Sequence, residues 1–171
     1  MNLKTIGLVF AIIVAVLAVI GTAIKLSNPP AEVQQVSLSA VQARLDAARE
    51  AGRPAVLYLY ASSCTSCRAS MKNLNIVVKR WGDDVAFVIV SVDEDPLELQ
   101  ALLDETGAAF DPLNVAAAPE ERIKAMVTAL GATYPETIPY GVVLDREGKA
   151  TYEWAGARSM MAWEGAIEAV L

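Results

Sequence analysis

Histidine is absent from this 171-residue chain. That removes the commonest general base and the commonest zinc and copper ligand together, so serine-triad and histidine-metal chemistries are poor starting points. Cysteine is scarce as well. Two residues cannot build a disulfide framework, and whatever they mean lies in their spacing. Basic charge is also short: 14 lysines and arginines face 20 acidic residues, for a net charge of −6. Lys4 and Lys25 both lie in the leading segment, so the remainder has 12 basic residues and no electrostatic footprint for nucleic acid. Internal repeats and low-complexity tracts are missing too.

What is present begins with an uncharged, almost wholly aliphatic run from Ile6 to Ile24. Nineteen residues at about 1.5 Å each span roughly the 30 Å hydrocarbon core of a bilayer. Lys4 and Lys25 stand at its edges, where long side chains reach the headgroups. The run reads as one transmembrane helix within residues 1–26, an uncleaved signal anchor. A secretory signal peptide is the rival, but the apolar stretch exceeds the usual length and no small-residue cleavage site precedes Lys25. Either reading puts the rest of the chain outside the cytoplasm. Residues 27–36, with Pro29 and Pro30, read as a linker that cannot continue the helix.

Residues 37–171 are enough for one core and little more. Leu38, Val41, Leu45 and Ala48 recur at spacings of three and four, which predicts an amphipathic helix over 37–50 stopped near Gly52. Residues 54–60 and 85–92 are nearly continuous apolar runs of the kind that suit strands buried on both faces. Helices are expected over 69–81 and 96–106, the second closed by Gly107. An insertion over 107–135 carries its own helix, 119–130. Residues 140–145 and 150–155 form a hairpin, and a last helix runs over 159–170. Alternating strands and helices imply a parallel sheet with helices on its faces, closed here by the hairpin.

Cys64-Thr65-Ser66-Cys67 sits where a buried strand gives way to a helix. Thiols at i and i+3 of a first helical turn share one face, and the free N–H groups and positive end of the helix favour a thiolate at Cys64. Arg68 is placed to add to that field. A structural staple is a poor alternative, since so short a loop removes little unfolded-chain entropy. A zinc half-site needs two further ligands, and the chain offers no other Cys and no His. Incidental buried thiols remain the blandest reading. Two soft thiolates are also a Cu(I) ligand pair, although no Met is placed beside them by sequence.

Strand 55–60, the Cys64–Cys67 motif, strand 85–92, Thr137-Ile138-Pro139, the hairpin 140–155 and the final helix together resemble the thioredoxin superfamily, and within it the membrane-anchored, periplasmic TlpA/ResA-like thiol-disulfide oxidoreductases. The resemblance implies a thioredoxin-like α/β fold, a central mixed sheet flanked by helices with an insertion at about 107–135. It implies that Pro139 is cis and faces the cysteines, so that the backbone of Ile138 meets a substrate strand and metals are kept off the thiols, with Thr65 and Ser66 also touching substrate. The departures are Ser63 where the family usually has Trp, and Thr65-Ser66 where Pro is frequent. Tyr58 stands where thioredoxins have a buried Asp, and Ser70 where some ResA-like members have Glu. No carboxylate is thus placed by sequence to take the proton of Cys67. Tyr58, Tyr60, Trp154 and Trp163 read as packing residues, and Asp93-Glu94-Asp95 as a solvated turn with Asp95 as a helix cap.

The function so implied is that of a single-pass, bacterial-type inner-membrane protein whose periplasmic domain exchanges electrons with protein thiols and disulfides, needing no cofactor. Apocytochrome c and copper-site proteins are the substrates the resemblance suggests. A Cu(I)-binding assembly factor and a redox-inert scaffold are the alternatives.

Overall fold

The computed structural model describes residues 12–15, 31–116 and 118–171. The chain divides into two units, Met1–Pro30 and Ala31–Leu171. In the first, residues 12–15 are helical. The rest of the Ile6–Ile24 run, and with it the expected transmembrane helix, lies outside the described residues. Among the described residues no helix is long and apolar enough to cross a membrane.

The second unit is an α/β structure with the elements β1 (Gln34–Gln35), α1 (Leu38–Glu50), β2 (Ala55–Tyr60), α2 (Thr65–Trp81), β3 (Ala86–Ser91), α3 (Pro96–Thr106), β4 (Leu113–Asn114), α4 (Glu120–Ala129), β5 (Tyr140–Leu144), β6 (Ala150–Ala155) and α5 (Met160–Glu168). One six-stranded sheet has the order β1-β4-β3-β2-β5-β6. It is mixed: β2 runs parallel to β3 and antiparallel to β5, with Leu57 opposite Val88 on one side and Val142 on the other.

β2 is central, and all six of its residues are buried. Alternation sends Leu57 and Leu59 into the core shared with α1 and α4, and Val56, Tyr58 and Tyr60 into the core shared with α2, α3 and α5. Each apolar side chain so enclosed contributes on the order of 1.5–3 kcal/mol. α1 follows its sequence pattern: Val41, Leu45 and Ala48 are buried, and the Ser37 hydroxyl caps the helix by accepting from the Ala40 N–H. α3 starts on the Asp95 cap with Pro96 in its first turn, and ends at Gly107, whose φ of 70° is open to glycine and strained for other residues.

Three local readings are corrected. α2 begins at Thr65 and not at Ala69, because Cys64 itself occupies the cap and the motif forms the first turn. Gln34 and Gln35, within the segment read as a linker, form β1 and pair in parallel with β4. β4 in turn pairs with the end of β3, inside the segment read as an insertion. Strands of two residues carry no periodicity that a sequence pattern can register.

Candidate functional site

The C-terminal ends of β2 and β3 and the start of antiparallel β5 lie at one end of the sheet, and the site is assembled there from the turns that leave them. From Tyr60 the chain passes through Ala61-Ser62-Ser63 to Cys64, which caps α2 with φ −83° and ψ 111°. The Cys64 Sγ accepts a hydrogen bond from the Cys67 N–H at 3.2 Å, and the Cys64 carbonyl accepts from the Arg68 N–H at 3.0 Å. The two cysteines are joined as a disulfide with their Cα atoms 5.2 Å apart. Cys67 is completely buried, whereas Cys64 is part exposed. A helix N-terminus thus aims its free N–H groups and positive partial charge at Cys64, the more accessible sulfur.

The Ile138–Pro139 peptide bond is cis. It brings the Ile138 carbonyl oxygen to 3.7 Å from Cys64 Sγ. A disulfide sulfur has no proton to give, so this approach becomes an S–H···O bond only in the reduced, neutral form. The Pro139 carbonyl accepts from the Gly156 N–H at 2.7 Å, which fastens the turn to the end of β6. Thr65 and Ser66 are exposed beside the disulfide. Cys64, Cys67, Ile138, Pro139, Thr65 and Ser66 therefore converge on one patch.

Among the described residues Arg68 makes its one side-chain polar contact away from the cysteines. Its guanidinium is paired with Glu105 on α3 at 2.6 Å, and both side chains are exposed. Behind the cysteines, burial pushes the Tyr58 phenol up to about 12, against the opposing effect of a hydrogen bond with Ser70. Burial raises Tyr60 further, helped by the negative charge of Asp93 and then by Tyr58. Both phenols stay neutral in the physiological range. The two positions at which the resemblance implies a carboxylate, 58 and 70, hold a phenol and a hydroxyl that are hydrogen-bonded to each other.

Asp93 is the residue that the sequence misplaces. It is buried, with 6% of its surface exposed, and does not sit in a solvated turn. Its carboxylate accepts from the Ser62 N–H, the Ser62 hydroxyl and the Ser91 hydroxyl. A signal for this does exist: Ser91 and Asp93 continue the period-two alternation of β3, so two polar side chains share a face that is otherwise buried. Asp95 does cap α3, accepting from the Leu97 N–H at 2.8 Å.

Among the described residues no group of three or more His, Cys, Asp or Glu is placed to hold a metal ion. A cleft of about 420 Å³ at the other end of β3 is lined by Arg44, Arg53, Phe87 and Phe110 and includes neither cysteine. Chemically, the site offers a reversible dithiol–disulfide couple with one sulfur open to a partner.

A family model described as thioredoxin-like matches residues 52–150 of the chain, a span that holds both cysteines and Pro139. Over 127 residues the chain is 32% identical to the thiol:disulfide interchange protein TxlA homolog of Synechocystis sp., covering 66% of this chain and 69% of that protein. In fold it is similar to a thiol:disulfide interchange protein of the thioredoxin family from Chlorobium tepidum (TM-score 0.59, 20% identity, 73% of this chain and 83% of that one). A secreted disulfide oxidoreductase of Mycobacterium tuberculosis, homologous to E. coli DsbE, gives a TM-score of 0.54 at 25% identity over 69% of this chain and 82% of that one.

Proposed function

The chain belongs to the thioredoxin-like family and is a thiol-disulfide oxidoreductase, and on that basis we propose that Cys64 and Cys67 carry the exchange, with protein thiols and disulfides as substrates. The observation that supports this reading is the bonded pair at the start of α2, with the Cys67 N–H on Cys64 Sγ and the Ile138 carbonyl beside it.

In the reducing direction, the Cys64 thiolate attacks one sulfur of a substrate disulfide. That S–S bond breaks, the departing substrate thiolate takes a proton from solvent, and Cys64 is left in a mixed disulfide. Cys67, deprotonated in turn, attacks Cys64 Sγ and expels the second substrate thiolate. Two electrons have passed to the substrate, and the Cys64–Cys67 disulfide seen here is the product. The oxidising direction is the same sequence reversed. Ile138, held at the cis bond, offers its backbone to the substrate segment, Pro139 shapes that turn, and Thr65 and Ser66 form the exposed floor against which the substrate lies.

The Ile6–Ile24 run fits an anchor that holds this domain at the outer face of a bacterial-type inner membrane. Apocytochrome c and copper-site proteins are the protein substrates that this reading suggests. Retention in the membrane pellet after alkaline carbonate, with residues beyond Pro30 open to external protease, is the result expected. A soluble, N-terminally shortened protein would overturn the anchor.

The redox reading is tested by equilibrating the purified protein in glutathione buffers of graded potential and counting free thiols by alkylation mass shift. A reversible transition involving both cysteines is expected. A pair that stays in one state across all buffers would make the site inert and sink the assignment.

A further inference from the structure

We propose that Asp93 is a positioning residue for Cys64, holding the loop that presents the reactive sulfur. The inference rests on the redox reading above but concerns a residue that takes no part in the bond exchange itself. Asp93 comes just after β3 and lies between the ends of three strands. Its carboxylate accepts from the Ser62 N–H at 2.9 Å to each oxygen, from the Ser62 hydroxyl at 2.7 Å and from the Ser91 hydroxyl at 2.6 Å. Its own N–H donates to Ser91 Oγ at 3.0 Å, and its carbonyl accepts from the Asn114 side-chain amide at 3.2 Å. The carboxylate thereby ties β3 to the turn leaving β2, and its backbone ties the same point to β4.

Burying a carboxylate is unfavourable unless donors replace the lost water, and charge-assisted bonds of this kind are the ones strong enough to do so. Two of the three donating groups belong to Ser62, one residue of a three-residue connection. Ser62 lies two positions before Cys64, and the Cys64 N–H closes back on the Ala61 carbonyl at 3.3 Å. With Ser62 fixed at both its N–H and its hydroxyl, little freedom is left in the path from Tyr60 to the cap of α2. The direction of Cys64 Sγ relative to the Cys67 N–H depends on that path. Every hydrogen bond to the carboxylate comes from a serine and none from a cysteine, so Asp93 acts through Ser62 and not as a proton acceptor for either thiol. Around it, Tyr60 feels its charge from β2, Glu94 and Asp95 are exposed on the adjoining turn, and the guanidinium of Arg68 is committed to Glu105.

The test must separate position from charge, because removing a nearby negative charge by itself favours a thiolate. Asp93→Asn and Asp93→Ala both remove the charge. Only Asn keeps an acceptor for the Ser62 N–H and an amide that serine hydroxyls can meet. In the full chain carrying Cys67→Ser, so that Cys64 is the single thiol, the rate of alkylation by iodoacetamide is measured from pH 5 to 9. The Asp93→Ala profile is expected to lie about one pH unit above the Asp93→Asn profile, which is about tenfold slower alkylation at pH 6. Coincident profiles, or an Ala profile below that of Asn, would overturn the proposal. Should Asp93→Ala fail to fold, Ser62→Ala removes one hydroxyl donor and leaves the charge in place. It is then expected to slow alkylation at pH 6 by about threefold, and an unchanged profile overturns the proposal equally. Alkylation of a reduced thiol needs no partner protein. A wild type that does not respond to glutathione while the Asn and Ala profiles differ would fail the redox reading alone, and a wild type that cycles while the profiles coincide would fail this inference alone.

Discussion

The backbone N–H of Cys67 donates to Cys64 Sγ at 3.2 Å, so the second cysteine of the pair helps to solvate the first. The relationship is one-sided. Cys64 is part exposed at the cap, with the helix N-terminus aimed at it, whereas Cys67 is fully buried one turn on. An attacking thiol needs both exposure and thiolate character, while a resolving thiol needs only to reach the mixed disulfide. Cys67→Ser is therefore expected to accumulate disulfide-linked adducts with partner proteins that dissolve in reductant, and Cys64→Ser to accumulate few or none. Non-reducing gels of both variants decide the matter, and equal trapping would remove the assignment of roles.

Tyr58 supplies a pH dependence. Burial raises its phenol to about 12 in the folded protein, against an ordinary value near 10. A raised folded value means that the stabilising contribution is complete below pH 10 and is lost as pH rises towards 12, where the unfolded chain ionises first. The full difference corresponds to about 3 kcal/mol. Tyr58→Phe should make the fall of unfolding free energy between pH 10 and 12 shallower, by about the release of one proton. Urea titrations at pH 8, 10 and 11 measure this. Parallel curves for wild type and variant would show that the phenol is not held neutral by burial.

Arg68 and Glu105 form a close but exposed pair, and exposed pairs are worth little. Arg68→Ala is expected to change stability by about 0.5 kcal/mol or less. Because the guanidinium is turned to Glu105, the pH profile of Cys64 alkylation should also stay where it is. A profile moved upward by half a unit or more in the variant would mean that Arg68 does support the thiolate.

How far the sequence can be read depends on the length and regularity of each signal. β2 is legible because six consecutive buried residues of strand-forming type leave few alternatives, and α1 and α3 because their apolar spacing comes with Ser37, Asp95 and Gly107 as punctuation. The pairing of Cys64 with Cys67 is reached through a short motif whose surroundings agree with it, whereas the cis bond before Pro139 is reached only through the resemblance to a known family. Apolar spacing alone starts α2 four residues late, because Thr and Ser are indifferent helix formers, and it is the cysteine motif read as a first helical turn that marks the true start. Asp93 is misplaced for a different reason. Acidic residues after a strand are usually solvated, and only the fold brings Ser62 across from another strand to satisfy this one. The alternation of Ser91 and Asp93 marks the buried face, but the partner 31 residues away, Ser62, has no local trace in the sequence.

Gly141 and Trp154 carry the last prediction. In the β5–β6 pairing they stand directly opposite one another, and on its other side Gly141 faces Tyr58 of β2. The three positions share one face of the sheet, and glycine leaves a gap in the middle of it. The indole of Trp154 lies across that gap, so that a Cβ built on Gly141 would fall 2.2 Å from its Cζ2 atom. The ring has little room to yield. It meets the edge of Trp163 from α5 at 4.7 Å between centroids and lies 6.4 Å from the ring of Tyr58. Gly141→Ala must therefore move either the indole or strand β5, and overpacking of this kind typically costs about 1–3 kcal/mol. Denaturant unfolding should show a loss in that range, with changed tryptophan emission because Trp154 and Trp163 are displaced together. The control is Gly165→Ala, at a site on α5 where an added Cβ meets nothing within 4 Å. Replacing a helical glycine there should hold or raise stability, by up to about 1 kcal/mol. Two substitutions of equal effect would mean that the aromatic packing over Gly141 is not what limits that position.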